Sequence, residues 1–388
     1  MQNTVKKLAF VISFVMLAAA YQNCSMNGFG VLTKSTPAAS SGQVVDPAPT
    51  DGPTGKLVPV FVAQGHVGRT LMSCDDGKSW IHDINDNPKI VCYNPDECDH
   101  ASFSAAGLVY NDGWFFASYG HGAPGTLRRS KDGIKWEVIN TCNGTGGLNF
   151  VNGILLWFDC GYGISTDLGV TFRDNRQNVP GAYFLARTAA SAGNVVVVSG
   201  DDGSAALLSQ DSGLTWKAIS PQGVQWGRNN ILAKGNGIIA SASSVHYGNG
   251  TGGFNTSVYT SISTDGGLTW NGKALYEGPN YVDWSAMFFD GTKFIGYYGN
   301  MRATSVDGVN WTSVPITTPG YITNGPIARG PTGTLVVIPN NFGSYYDKQR
   351  AYRSTDGMNW TELDSTQFHG GHPIGRIVSG YVDSSACR

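Results

Sequence analysis

Asp99, Asp201 and Asp283 are the residues of this chain best placed for acid–base chemistry. Glycoside hydrolysis needs two carboxylates held about 5–9.5 Å apart. Asp201 with Asp283, or Asp201 with Asp99, would form such a pair if the segments that carry them converge. The sequence leaves the pairing open, and these three aspartates are its catalytic candidates.

Side chains suited to holding a ligand lie in similar polar segments. Exposed Trp and Tyr side chains are costly unless they pack or bind something, whereas polar residues in a loop are ordinarily there because loops are wet. We therefore predict ligand binding on these segments. The candidates are Trp226, Arg228, Trp284, Tyr281, Tyr345, His246, His372 and Arg376.

Metal, cofactor and nucleic-acid binding have little support. His100 with Asp96 and Asp99, or His369 with His372, could ligate a metal, but neither spacing matches a recognised cluster on a rigid element. There is also no phosphate-binding glycine loop and no nucleophile elbow. With 26 basic against 28 acidic residues and only 14% charged residues, the chain lacks the excess of basic residues that is typical of nucleic-acid-binding proteins. We expect no metal, no cofactor and no nucleic-acid partner.

A repeated turn organises the elements that must position these residues. The stretch STDGGLTW from Ser263 returns six more times in variant form. The six intervals between the first and last start cover 281 residues, a mean of about 47, and a four-stranded propeller blade repeats at ~40–50 residues. The other copies are SCDDGKSW from Ser73, SKDGIKW from Ser130, STDLGVTF from Ser165, SQDSGLTW from Ser209, SVDGVNW from Ser305 and STDGMNW from Ser354.

Each position of the repeat has a mechanical role. The Asp carboxylate can accept backbone N–H groups across a tight turn, the Ser hydroxyl can close the same ring, and Gly supplies the positive φ. The closing aromatic residue buries on the order of 150–250 Å² and anchors the outgoing strand. We therefore predict that the repeated aspartates are structural: Asp75, Asp132, Asp167, Asp211, Asp265, Asp307 and Asp356.

In these residues the chain resembles the Asp-box (BNR) propellers, which include sialidases, secreted glycosidases, sortilin-type receptors and photosystem assembly factors. The resemblance covers residues 57 to 388. It implies a β-propeller whose boxes lie away from the ligand face, and it leaves the activity open because a fold does not set a function.

The predicted fold is all-β: a seven-bladed propeller of four-stranded antiparallel blades. Blade two serves as the pattern, with strands at 103–110, 114–119, 126–130 and 135–139. Residues 194–200, 293–299 and 334–340 are second strands of later blades. Blade one lacks an inner strand before Leu57, and the C-terminal segment 374–382 is predicted to supply it. That strand would close the ring and leave no long exposed edge.

Strand order then assigns each loop to a face. In an antiparallel blade the turns after strands one and three share one face, here called the box face, and the remaining loops share the opposite, variable face. Six of the seven histidines are predicted on variable-face loops: His66, His100, His121, His246, His369 and His372. The same rule predicts the disulfides Cys92–Cys98, Cys142–Cys160 and Cys74–Cys387 among the 15 pairings that six cysteines allow.

The first 55 residues read as an export signal and a tether. Lys6 and Lys7 precede an apolar run of 13 residues, 8–20, which is too short for the ~20 that span a bilayer. The signal, residues 1–23, ends either at Ala18-Ala19-Ala20 or at the lipobox-like stretch Tyr21-Gln22-Asn23 before Cys24. A lipobox usually has a small residue before its cysteine, and Asn23 departs from that pattern. Lipidation of Cys24 would leave six of the seven cysteines for disulfides. Residues 24–55 are a proline-containing tether, and residues 56–388 are the propeller.

Sialidase chemistry is only partly matched. Arg187, Arg228, Arg329 and Arg376 lie at or near predicted inner-strand starts and could clamp a carboxylate. The family's Arg-Ile-Pro signature is missing, because Arg376-Ile377 is followed by Val378, and sialidases have six blades.

The sequence therefore predicts a monomeric, exported cell-envelope propeller, held in the periplasm or at the outer membrane through a lipid anchor alone. It would bind or scaffold, recognising a glycan or an extended peptide on the variable face. A sialidase-like glycoside hydrolase and a peptide-binding assembly factor are the alternatives.

Overall fold

A computed structural model describes the propeller domain in segments. The described residues are 56–65, 68–85, 105–119, 125–142, 147–158, 163–179, 188–199, 206–219, 230–248, 254–320, 322, 325–339, 349–368 and 374–388.

Seven antiparallel sheets form seven blades, and most neighbouring blades contact each other through their inner strands. Blade one contains β1 (Leu57–Gly65), β2 (Arg69–Ser73), β3 (Ile81–Asn85) and, as its inner strand, β27 (Ile374–Asp383). Blade two contains β4 (Ala105–Asn111), β5 (Trp114–Tyr119), β6 (Gly125–Ser130) and β7 (Glu137–Cys142). Blade three contains β8 (Leu148–Val151), β9 (Ile154–Trp157) and β10 (Gly163–Ser165). Blade four contains β11 (Thr188–Ala192), β12 (Val195–Ser199), β13 (Ala206–Ser209) and β14 (Lys217–Ile219).

The last three blades follow the same order from the axis outward. Blade five contains β15 (Ile231–Gly235), β16 (Ile238–Gly248), β17 (Phe254–Ser263) and β18 (Asn271–Gly278). Blade six contains β19 (Trp284–Phe289), β20 (Phe294–Tyr298), β21 (Met301–Ser305) and β22 (Thr312–Pro315). Blade seven contains β23 (Ile327–Arg329), β24 (Leu335–Val337), β25 (Tyr352–Ser354) and β26 (Thr361–Glu362). The predicted seven-bladed all-β propeller is confirmed.

In blade three a two-residue bridge takes the place of the outer strand. Ile164 and Arg173 exchange backbone hydrogen bonds of 2.9 and 2.8 Å. The helices within the described segments are short 3-10 turns at Arg176–Asn178, Ser365–Phe368 and Ser384–Cys387. None of the helices found there has the length and apolar character needed to cross a bilayer.

The ring closes as the sequence predicts. β27 pairs antiparallel with β1, from Leu57 opposite Asp383 to Gly65 opposite Ile374. The disulfide Cys74–Cys387 is confirmed and ties the first repeated turn to the chain end. Of the other predicted cysteines, Cys92, Cys98 and Cys160 and the side chain of Cys142 lie outside the described residues.

The strand limits differ slightly from those predicted. β7 begins at Glu137 rather than at 135. The reason is local: the Lys135 N–H donates to the Asp132 carboxylate at 2.7 Å. Lys135 therefore belongs to the turn, and pairing begins only after Trp136.

Each repeated turn is a closed hydrogen-bonded ring. In the copy around Asp265, the Ser263 hydroxyl donates to Oδ1 at 2.8 Å and the Thr269 hydroxyl donates to Oδ2 at 2.6 Å. The backbone N–H groups of Leu268 and Thr269 also donate to Oδ1. The Thr269 side-chain and backbone donors lower the pKa of Asp265 to about 2. The acceptor positions of this carboxylate are therefore occupied by donors of its own turn.

The turn glycine has a packing role beyond its backbone conformation. Gly267 has a φ of 90°. A Cβ at Gly267 would come within 2.9 Å of Leu208 and 3.2 Å of Val195, both from the preceding blade. The turn of one blade thus seats directly on its neighbour, with no room for a side chain.

The core consists of apolar layers between neighbouring blades. One such layer joins Val197 and Leu208 of blade four to Leu232, Ile239 and Trp270 of blade five. Trp270, the closing residue of its turn, therefore packs both within blade five and against blade four.

Candidate functional site

The candidate site lies on the variable face where blades five and six meet. β16 and β17 are the longest strands of their blade, with 11 and 10 residues. Their far ends carry His246 opposite Thr256. His246 thus lies on a strand, not on the loop that the sequence analysis predicted, because β16 continues well past the inner strand.

Both ring nitrogens of His246 are occupied. Nε2 lies 2.8 Å from Oδ1 of Asp283, and Nδ1 lies 2.8 Å from the Thr256 hydroxyl. A carboxylate oxygen accepts hydrogen bonds, so Nε2 donates to Asp283, and Nδ1 shares a hydrogen bond with the Thr256 hydroxyl. The Thr256 oxygen in turn accepts the Val282 N–H at 3.4 Å. The imidazole is therefore held in one orientation by hydrogen bonds at both ring nitrogens.

Tyr281 stacks on this fixed ring. The two ring centroids are 4.0 Å apart and the planes differ by 5°. Tyr281 is 52% exposed and the neighbouring Tyr247 is 40% exposed. Among the exposed large apolar side chains of the described segments, these are the two aromatic ones. The site therefore presents a supported, solvent-facing aromatic surface, the Tyr281 platform.

The Asp283–His246–Thr256 chain resembles the order of a catalytic triad, but its burial does not suit one. A triad nucleophile must reach its substrate, and Thr256 is 1% exposed. Asp283 is 5% exposed. The arrangement therefore positions the aromatic platform and offers no reachable hydroxyl.

Trp284 requires a correction. It was predicted to bind a ligand, yet it is 3% exposed and packs in the core between blades five and six. Its indole N–H donates to the Tyr259 carbonyl at 3.1 Å. An aromatic ring buried on both faces cannot stack on a ligand.

Two of the four predicted arginines, Arg376 and Arg329, lie among the described residues, whereas Arg187 and Arg228 do not. Arg376 is half-buried near the start of β27, where burial lowers the pKa of its guanidinium. Arg329 is the last residue of β23, at the box-face end of its strand, and stacks 5.5 Å from the Phe288 ring. Its prediction at an inner-strand start is therefore corrected. The remaining candidates lie outside the described residues: Asp99, Asp201, Trp226, Arg228, Tyr345 and His372.

The inner strands of all seven blades enclose an axial cavity of about 560 Å³. Its lining includes Ile231, Phe288, Arg329, Ser379 and Tyr381. Within the described segments, no group of three or more His, Cys, Asp or Glu side chains is arranged to hold a metal.

Sequence reasoning missed Thr256 and Ser244. Ser244 accepts the Trp284 N–H at 3.1 Å and so holds the start of blade six against blade five. The available signal was the period-two pattern of the strands: Ser244 alternates with Val245, and Thr256 shares a face with Val258.

The fold defines this chain as a seven-bladed β-propeller. No family model matches the sequence, and no curated protein matches it. Among solved structures, the chain is similar to YCF48 bound to a D1 peptide, at 13% identity over 82% of this chain and 99% of that one, with a TM-score of 0.47. It is similar to a GH74 xyloglucanase from Xanthomonas campestris at 12% identity over 82% of this chain and 52% of that one, with a TM-score of 0.48. A putative 6-phosphogluconolactonase from Bacteroides fragilis has 10% identity over 84% and 98%, with a TM-score of 0.49.

Proposed function

We propose that this protein is an exported Asp-box propeller that binds or scaffolds in the cell envelope, and that its ligand docks on the variable face at the Tyr281 platform. The ligand class is a glycan or an extended peptide. The observation that carries the proposal is the exposed Tyr281 ring, stacked on a His246 held at both nitrogens.

Preorganisation is the physical reason to expect ligand binding at the Tyr281 platform. An aromatic side chain that is already immobilised loses little conformational freedom on binding, so more of the contact energy remains as affinity. Aromatic residues are enriched among the residues that dominate binding interfaces. Stacking on a sugar or a peptide side chain needs no proton transfer, which is consistent with the burial of Thr256 and Asp283.

The proposed location is the periplasm or the outer membrane. The disulfide between Cys74 and Cys387 supports an oxidising compartment. The lipobox-like residues before Cys24 and the odd number of cysteines support a lipid anchor.

The proposal is tested by screening the purified full-length protein against a glycan array and a random peptide library, with a hydrolysis assay on every hit. Each hit is then measured with the Tyr281→Ala variant. We expect binding without turnover, weakened about tenfold or more by the substitution. Leu268→Ala is the matched control, because Leu268 is an exposed apolar residue on the box face.

Two results would contradict the proposal. One is a set of hits that bind Tyr281→Ala and the wild type equally well. The other is turnover that disappears in Asp283→Asn, which favours the glycoside hydrolase alternative.

A further inference from the structure

The axial cavity opens on the box face, opposite the face that carries the Tyr281 platform. Much of its lining comes from the box-face ends of the inner strands, including Asn111 of β4, Val151 of β8 and Phe289 of β19. The lining continues into the turns beyond, where Asn152 and Pro331 are exposed. The cavity therefore reaches solvent among the turns that join inner strands to second strands.

The turns around this mouth belong to the described segments. All seven box turns and the six turns between an inner strand and a second strand are among them. The seventh inner strand, β27, is followed by the described residues 384–388. The strand ends and turns that form the mouth are therefore all described.

The walls of the cavity combine aromatic rings with small polar groups. Phe150, Phe288 and Tyr381 contribute rings, and Asn111 and Ser191 contribute an amide and a hydroxyl. The volume of about 560 Å³ falls within the ~300–1,000 Å³ of small-molecule sites, which are mostly apolar with a few polar groups. The cavity therefore has the size and lining of a site for a small organic ligand.

Arg329 is the charged residue among the described residues that line the cavity. Its Cζ lies 5.5 Å from the centroid of the Phe288 ring, which also lines the cavity. A Cβ at Gly333, in the turn after β23, would lie 4.0 Å from Nη2 of Arg329. These two distances place the guanidinium at the mouth, between the wall of blade six and the turn of blade seven. A guanidinium has five N–H donors and keeps its positive charge in proteins.

Lys234 of blade five supplies a second positive charge at the same mouth. A Cβ at Gly193 would lie 2.7 Å from Nζ of Lys234. Gly193 lines the cavity at the turn after β11, so the ammonium lies against the rim. Among the ion pairs of the described segments, none joins Lys234 or Arg329 to a carboxylate.

The acidic residues on the neighbouring strand ends and turns have other surroundings. Asp290 accepts the Thr292 hydroxyl at 2.7 Å and two backbone N–H groups of its own turn. Asp383 accepts the Ser385 N–H at 2.8 Å, and Asp112 is exposed on the turn of blade two. The cations at the mouth are therefore free to attract an anion from solvent.

We propose that the axial cavity binds a small organic carboxylate, which enters from the box face and places its carboxylate at Arg329. A planar guanidinium can hold a carboxylate through two parallel N–H···O bonds, and Lys234 adds attraction at the rim. The aromatic or aliphatic body of the ligand lies between the rings of the inner strands. One guanidinium in the walls matches a monoanion, whereas a phosphate dianion would be buried with part of its charge uncompensated. This site is separate from the Tyr281 platform and does not depend on the proposed function.

The first test measures binding of benzoate, phenylacetate and octanoate to the full-length protein by titration calorimetry, each beside its neutral primary amide. At least one acid should bind with a dissociation constant below about 1 mM and at least about tenfold more tightly than its amide. Equal binding of acid and amide would overturn the proposal, as would a panel in which no acid binds.

Substitutions then locate the charge that the acid requires. Arg329→Gln should weaken binding of the acid about tenfold or more, and Lys234→Gln should weaken it less. Lys78→Gln is the matched control, because Lys78 is an exposed lysine on the box turn of blade one. Wild-type affinity in Arg329→Gln would contradict the site.

The second test needs no folded Arg329 variant. Met287 lines the cavity and is 4% exposed, whereas Met72 is buried in blade one and is not a lining residue. In wild-type protein labelled with ¹³C at the methionine methyl groups, the acid should shift the Met287 signal and leave that of Met72 in place. Met287→Leu identifies the signal. Binding without a shift at Met287 would put the acid elsewhere and overturn the proposal.

The variable face provides the last comparison. Tyr281→Ala should bind the acid as the wild type does, because Tyr281 lies on the opposite face of the propeller. Loss of acid binding in Tyr281→Ala would assign the acid to the Tyr281 platform and sink this inference.

Discussion

At the scale of residues, the decisive feature is the hydrogen bond between His246 and Asp283. A histidine and a carboxylate in loops invite an acid–base interpretation, but here the 2.8 Å contact between them turns both into supports for Tyr281. Burial distinguishes the two roles, because a general acid must reach the leaving group.

The corresponding prediction compares two substitutions. Tyr281→Ala should weaken ligand binding by about 2 kcal/mol if the ring is a hot spot, whereas Asp283→Asn should weaken it less, since Asn can still accept from His246. Titration calorimetry with a library-derived ligand measures both. A larger effect of Asp283→Asn would mean that the carboxylate itself contacts the ligand.

At the scale of elements, the repeated turn links the third strand of each blade to the fourth, or in blade three to the Ile164–Arg173 bridge that takes its place. The Asn310 and Asn359 backbone N–H groups donate to Asp307 and Asp356 and lower the pKa of each carboxyl, as Thr269 does for Asp265. These groups favour the folded state only while they are ionised.

Stability should therefore depend on acid pH. The folded pKa of Asp265 is about 2, below its ordinary value of 3.8. Its contribution is complete above about 3.8 and is lost as the pH falls through about 2. Urea midpoints measured from pH 5 to pH 2 should fall across this window. Asp265→Asn should show a shallower fall than the wild type, and an equal slope would contradict the assignment.

Adjacent turns are also joined where the ring closes. Asp76 accepts hydroxyl groups of Thr332 and Thr334 at 2.7 and 2.6 Å and pairs with Arg353 at 2.6 Å. Its φ of 64° is one that Asn tolerates. We expect Asp76→Asn to lower the free energy of unfolding by about 1–3 kcal/mol, measured by urea denaturation. Asp112→Asn is the control, because Asp112 has a φ of 48° and is exposed on another turn.

At the scale of the whole molecule, a propeller is a ring whose first and last blades must be held together. β27 pairs with all of β1, and the Cys74–Cys387 disulfide bridges a sequence separation of 313 residues. Constraining the unfolded chain over so long a loop corresponds to about 5 kcal/mol in chain-entropy models.

The Cys74→Ser, Cys387→Ser double variant should accordingly unfold at a much lower urea concentration, by up to about 5 kcal/mol in free energy. Adding a reductant to the wild type should reproduce most of that loss. A wild type with the stability of the double variant under oxidising conditions would contradict the role assigned to the bond.

The proposed lipid anchor also concerns the whole molecule. We expect Cys24→Ser to move the protein from the membrane fraction to the soluble periplasmic fraction. Fractionation with mass analysis of the mature N-terminus measures this. A wild type that is already soluble and begins at Tyr21 would contradict the lipid anchor.

Local chemistry explains what the sequence by itself determined. The hydrogen bonds of each turn join residues no more than four positions apart, so their spacing can be read directly and counted to seven blades. The unpaired C-terminal strand and the face assignment then gave the ring closure and the Cys74–Cys387 bond. The tertiary structure decided the burial of Trp284, the contact between His246 and Asp283 across 37 residues, and the extension of β16 beyond β15. These depend on how two blades pack and how far neighbouring strands run, and no local pattern of residues encodes either.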